Sequence, residues 1–157
     1  MMEIHDVVDR DNVVTGRASR KEVYEKRLNH RGEMLLQLRG RDVSFMPHHW
    51  VTSAGGHVIA GETYEQAAAR ELKEELGVSG NLEFFCRDPY TYDGGDGRSI
   101  KFIEVFRTVI ESGFVPNTRE VERAEFFSMD EIRRMIARGE KFHPELSYIL
   151  KKHFGFQ

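Results

Sequence analysis

The segment from Thr63 to Gly77 leaves little freedom in what it can form. Thr63-Tyr64-Glu65-Gln66 has the form of a capping box, in which the threonine hydroxyl and the glutamine side chain each satisfy a backbone N–H left unpaired at a helix start. Gly77 supplies the residue that most readily turns left-handed and ends a helix. At about 100° per residue, Ala69, Leu72 and Leu76 fall on one arc of this helix, and Glu71, Glu74 and Glu75 fall together on the opposite arc. One face therefore seeks a core while the other concentrates negative charge. Glu71 meets Glu74 and Glu75 at spacings of three and four, where like charges cost a few tenths of a kcal/mol per pair. Arg70 and Lys73 flank the carboxylates, and Ala67 leaves space beside them. The run reads either as a solvated acidic face or as a seat for a hard divalent cation. Mg²⁺ takes a few carboxylate oxygens, keeps waters and draws its remaining ligands from substrate phosphates.

Around this helix the chain reads as alternating strands and helices. Ile4 to Val8 and Val13 to Arg17 flank turn residues and form a hairpin, and Ser19-Arg20-Lys21-Glu22 caps a short helix to about Leu28. Met34 to Leu38 is a strand and Trp50 to Ala54 a weaker one. Asn81 to Arg87 and Ser99 to Ile110 are strands on either side of the Gly-rich stretch Asp93 to Gly97, which reads as mobile, and Ala124 to Phe127 is a further strand. Ser128-Met129-Asp130-Glu131 caps a helix to about Arg138, and Pro144 suits the first turn of a last helix. This mixture indicates an α/β (α+β) domain.

With 157 residues, 39% of them hydrophobic and 31% charged, the chain is long enough for one core and is read as one domain over residues 1–157. No apolar run approaches the 18 or so residues of a membrane helix. Its first residues have neither the basic start nor the apolar stretch of a signal peptide. A cytoplasmic location is expected. The formal charge of −3 carries no footprint for duplex nucleic acid or an anionic membrane. Cys86, the one cysteine, cannot form an internal disulfide or a Cys-based zinc site, and its neighbours suggest a buried small hydrophobe.

The spacing over Gly56 to Val78 is more specific than either reading of its acidic face. Gly56, Glu62, Arg70, Glu71, Leu72, Glu74, Glu75, Gly77 and Val78 reproduce, at every specified position, the Nudix box G-x5-E-x7-R-E-U-x-E-E-x-G-U, where U is apolar. The chain thus resembles a Nudix (MutT-like) hydrolase. The resemblance implies a Nudix fold, with a mixed β-sheet packed between helices, and cleavage of a small, nucleotide-linked diphosphate by Mg²⁺ or Mn²⁺ and activated water. It implies metal binding by Glu71, Glu74, Glu75 and the carbonyl of Gly56, with a structural pair in Glu62 and Arg70 that braces the loop against the helix. Glu120 resembles the outlying glutamate that supplies a further ligand or the base; read as a residue, it is equally a solvated loop carboxylate between Arg119 and Arg123. Arg39, ending the strand MLLQLR, resembles an arginine that touches substrate phosphate. Gly77 keeps its structural place at the helix end. A monomer or homodimer is expected.

Other residues resemble the branch that contains isopentenyl-diphosphate isomerase: His30-Arg31, Trp50 and His57. In the isomerases, histidines like His30 and His57 bind metal, and a cysteine two positions before the latter does the proton chemistry. Here that position is Gly55, which opposes isomerisation. A non-catalytic nucleotide-binding module is a third reading, and it gives no reason for three intact glutamates. Relatives place a further strand between a segment like LNHR and one like GEMLLQLR, whereas here Arg31 and Gly32 abut. Phe84, Phe85, Tyr90, Tyr92, Phe102 and Phe106 offer a base-stacking platform, although alternation along strands favours core packing for most.

Overall fold

The computed structural model describes residues 4–8, 14–19, 29, 31–94, 97–110 and 112–157. Strands β1 (Ile4–Val8) and β2 (Val14–Ser19) pair antiparallel, as their flanking turn residues predict. The short helix expected after Ser19 and the candidate ligand His30 lie outside the described residues.

The middle of the molecule is a three-stranded antiparallel sheet in the order β4-β3-β7, made by β3 (Glu33–Arg39), β4 (Trp50–Thr52) and β7 (Val121–Ser128). Arg31 and Gly32 lead straight into β3. Asn29 Oδ1 accepts from the backbone N–H of Arg31 and Glu33, and Gly32 takes a φ of 75° to make the turn. Because side chains alternate along a strand, β3 serves two cores. Leu36 packs with Trp50 and with Ile132, Met135, Leu146 and Leu150 of α2 (Met129–Ala137) and α3 (Pro144–Phe154). Leu35 packs on the other side, with Leu72 and Leu76 of α1 (Tyr64–Leu76). The sheet is thereby held between helices, as the family resemblance implies, and its strands pair antiparallel where that resemblance implies a mixed sheet.

The helix boundaries follow their local signals. Thr63 and Gln66 exchange both hydrogen bonds of a capping box, as do Ser128 and Glu131, and Gly77 ends α1 with φ 69°. Pro144 stands in the first turn of α3. Trp50 Nε1 donates to Glu140 Oε2 (2.9 Å), and the backbone of Trp50 bonds to Lys141 and His143. Trp50 is therefore a core residue that ties β4 to the start of α3.

Strands β5 (Glu83–Gly94) and β6 (Gly97–Arg107) form a long antiparallel hairpin. The first strand runs through Pro89 and well past Arg87, the end that the sequence pattern predicts. In a two-stranded ribbon each strand has one unpaired edge, and a residue without an N–H is tolerated there. Among the described residues, no helix is long and apolar enough to cross a membrane.

Replacing Leu36, which is fully buried, with alanine is expected to cost about 2–5 kcal/mol. The check is a shift of the urea midpoint with little change in slope.

Candidate active site

The loop before α1 is fastened to it by one guanidinium. Arg70 Nε donates to Glu62 Oε1 (2.8 Å) and Nη2 to Glu62 Oε2 (3.0 Å), a two-pronged pair joining the loop to the helix. Nη2 also donates to the His57 carbonyl (3.0 Å), while Nη1 donates to Glu71 Oε1 (2.6 Å) and Glu74 Oε2 (3.3 Å). Arg70 does more than flank the acidic cluster: it turns back onto two of its members. The Arg70 hydrogen bonds, with a further one from the Ile59 N–H, hold the Glu62 carboxyl down at about 2. Glu62 and Glu71 in turn push the guanidinium further from deprotonation. Gly56 lies against the Glu71 carboxylate so closely that a β-carbon there would overlap it. A glycine at this box position is a steric requirement of the Glu71 rotamer.

The helical arc drawn from the sequence needs correcting at two positions. Glu75 is 4% exposed, whereas the Glu74 side chain is 56% exposed, and Ala69, expected in the core, faces out. Three residues at about 100° each place Glu75 only about 60° from Leu72, on the edge of the apolar arc. Strand β3 passes under that edge. Its one inward polar residue, Gln37, is 2% exposed and donates from Nε2 to Glu75 Oε2 (2.7 Å), and the Gly55 N–H donates to the same oxygen (3.2 Å). Gln37 Oε1 is buried with no hydrogen-bond partner among the described residues. Burial raises the Glu75 carboxyl from 4.5 to about 7; the two hydrogen bonds oppose this, and the charges of Glu71 and Glu120 add to it.

Glu120 reaches this group through the end of α1. The carbonyls of Leu76 and Glu75, unpaired within the helix, accept from the N–H groups of Val115 and Asn117 (2.8 Å each). The N–H of Glu120 bonds back to the Asn117 carbonyl (3.0 Å). The charges of Glu71 and Glu120 thus both act on Glu75, with Glu74 at the exposed rim. Arg39 is half-buried, with Nε donating to the Phe45 carbonyl (3.0 Å), its backbone bonded to His48 and His49, and its charge felt by His143. His57 is exposed and enters the site through its backbone.

Sequence reasoning missed Gln37. The available signal was a lone amide in the run MLLQLR, at a position where both sheet faces are covered. It also misjudged Cys86, which is half-buried beside Asp88 and His153. Of the six candidate stacking aromatics none is fully buried, and Phe84, Tyr92 and Phe102 are exposed. A two-stranded hairpin has too little covering layer to bury them.

The sequence model of the NUDIX domain family matches residues 26–148. The chain belongs to the Nudix family. It is 34% identical over 131 residues to an uncharacterized Nudix hydrolase of Streptomyces coelicolor, covering 76% of this chain and 71% of that protein. A second uncharacterized Nudix hydrolase, from Listeria monocytogenes, is 32% identical over 112 residues; the match spans 71% of this chain and 65% of the relative's length. An isopentenyl-diphosphate isomerase of Corynebacterium diphtheriae is 32% identical over 101 residues, 60% of this chain and 55% of the isomerase. Among solved structures, DR0079 from Deinococcus radiodurans superposes with a TM-score of 0.66 at 23% identity, covering 96% and 98% of the two chains, a likeness of fold.

Two outcomes follow for the Nudix box. A carboxyl raised in the folded state binds its proton more tightly than in the unfolded chain. Metal-free protein therefore loses stability as pH rises from 4.5 through about 7, by up to about 3 kcal/mol at Glu75. Glu75→Gln keeps an acceptor for Gln37 and Gly55 and removes the charge. In chelator it is expected to melt above wild type near about pH 8, with the difference shrinking toward about pH 5, in circular dichroism melts. Glu62→Gln, by contrast, weakens the Arg70 clamp. Its melting temperature is expected to fall at neutral pH, with turnover at low temperature largely retained, as read by melts and kinetics on one preparation.

Proposed function

We propose that this Nudix chain hydrolyses a diphosphate linkage in a small metabolite, nucleotide-linked by the family resemblance, with Mg²⁺ or Mn²⁺ as cofactor. The observation that carries the reading is Glu75. A carboxylate buried under a strand, beside two others, is a poor structural element and a good cation ligand. The donor set fits a hard cation: carboxylate oxygens of Glu71, Glu74 and Glu75 with the Gly56 carbonyl, and no sulfur or imidazole among them. When bound, such a cation neutralises diphosphate oxygens and makes a bound water more acidic.

The chain's own residues supply positioning. Arg70 fixes the Glu71 carboxylate against Gly56, and Gln37 and the Gly55 N–H hold Glu75 Oε2 in one place. Glu120 is assigned the remaining ligand or the general base, and Arg39 a contact to substrate phosphate. Fixed carboxylates reorganise little during the reaction, which is where pre-arranged charge contributes most. The isomerase reading requires a thiol two residues before His57. Gly55 stands there, its N–H engaged by Glu75.

A panel of diphosphate substrates with Mg²⁺, assayed for released phosphate species, tests the proposal. Glu71→Gln and Glu75→Gln are each expected to reduce turnover at least about 100-fold, the upper end of what removing outer hydrogen-bonding partners of a metal site costs. Wild-type turnover in both variants at saturating Mg²⁺ would end the metal-site reading, and conversion of an allylic diphosphate without phosphate release would restore the isomerase.

A further inference from the structure

Outside the Nudix box a second set of metal-ligating side chains converges, made of different donors. Cys86, Asp88 and His153 each offer one ligand atom, and these three atoms lie within 4.8 Å of one another. Cys86 and Asp88 stand on β5 at the two-residue spacing that puts side chains on one face. A bulge between Phe84 and Cys86 shifts the register immediately before them. His153 stands in the last turn of α3, so the group spans two elements that the sheet hydrogen bonds do not join. His153 Nε2 and Asp88 Oδ2 are 2.5 Å apart, and Lys152 Nζ donates to the other carboxylate oxygen, Oδ1, at 2.6 Å.

We propose that Cys86, Asp88 and His153 form a binding site for a borderline-soft divalent cation of the zinc class, linking α3 to the β5–β6 hairpin. The site is separate from the glutamate cluster. Ligand chemistry sorts the two: thiolate and imidazole select Zn²⁺ and its like, whereas Mg²⁺ takes oxygen ligands in octahedral geometry. The geometry is close to what such an ion needs. Ligands about 2.0–2.3 Å from a tetrahedral zinc stand roughly 3.3–3.8 Å from one another. The His153–Asp88 pair must therefore open by about an ångström, and no donor atom has to move far. On binding, the thiol proton and the proton shared between Nε2 and Oδ2 are both released to solvent, so that sulfur, nitrogen and oxygen each present a lone pair.

The surroundings hold two of the three donors in place. Lys152 fixes the Asp88 carboxylate through its second oxygen, as ligating carboxylates are commonly fixed. The Phe85 ring lies edge-on to His153 (5.2 Å) and beside Phe154 (6.0 Å), which gives the imidazole an apolar wall. Three protein ligands leave one position of a tetrahedron for water.

Cobalt(II) is the probe, because a thiolate bound to it produces a near-ultraviolet charge-transfer band that carboxylate ligands do not. Titrating the full chain with cobalt is expected to give that band, saturating at one equivalent, together with the intense visible bands of a tetrahedral ion. Glu75→Gln should leave both unchanged, which separates this site from the Nudix box. Cys86→Ser should abolish the charge-transfer band. His153→Gln, which can still hydrogen-bond Asp88, should weaken cobalt binding at least tenfold in a chain that still folds, as checked by its circular dichroism. Zn²⁺ should displace the cobalt and raise the melting temperature of wild type and of Glu75→Gln by more than that of Cys86→Ser or His153→Gln. No charge-transfer band in folded wild type at saturating cobalt overturns the proposal. So does a band of unchanged midpoint in His153→Gln, or one lost in Glu75→Gln.

Discussion

The Arg70 guanidinium is the interaction on which the arrangement of the site depends. It has planar N–H donors in a fixed fork, so it can bind both oxygens of Glu62 and still aim a third arm at Glu71 and Glu74. A lysine would supply the charge without the fork. The loop from Gly55 to Thr63 has no regular secondary structure, and its position over α1 comes from this pair, the His57 carbonyl contact and the threonine cap. Glu71 is then pressed against Gly56 by the same arm that anchors the loop. One cation thus performs the structural and the aiming task together, and it also offsets part of the repulsion among three neighbouring carboxylates.

Strand β3 imposes the complementary constraint from below. Its alternation sends Leu36 to the core shared with α2 and α3, and sends Leu35 and Gln37 toward α1. A leucine at position 37 would bury well but would leave the Glu75 oxygen with only the Gly55 N–H. A buried carboxylate short of donors costs several times more than one fully served. The amide is therefore matched to Glu75 rather than to the sheet. The stability that Glu75 forfeits in the metal-free state near neutral pH is what a cation bound there would recover.

The two proposed metal sites differ in how far apart their members lie along the chain. Glu71, Glu74 and Glu75 occupy one helical turn, and a spacing rule finds them. Asp88 and His153 are 65 residues apart, and they meet because α3 lies across the face of β5 that carries Tyr90, whose ring packs edge-on to Tyr148 of α3. No local pattern encodes such a meeting, and the lone cysteine beside them read as an ordinary apolar residue.

What the sequence determined by itself was local. Capping boxes at Thr63 and Ser128, the left-handed glycine at position 77 and the proline opening α3 act through hydrogen bonds and dihedral preferences within a few residues, and each element stands where those signals put it. The box spacing carried the family, since its glutamates lie on one short helix whatever surrounds them. Tertiary structure decided which glutamate is buried, because the burial of Glu75 requires β3 to cross beneath one edge of α1. It also decided where Glu120 stands, since the open carbonyls at the end of α1 capture the 115–117 segment and carry the glutamate with it. Helical periodicity gives the angle at which a side chain leaves its own axis. Whether that direction meets water, an amide or another charge depends on elements distant in the chain.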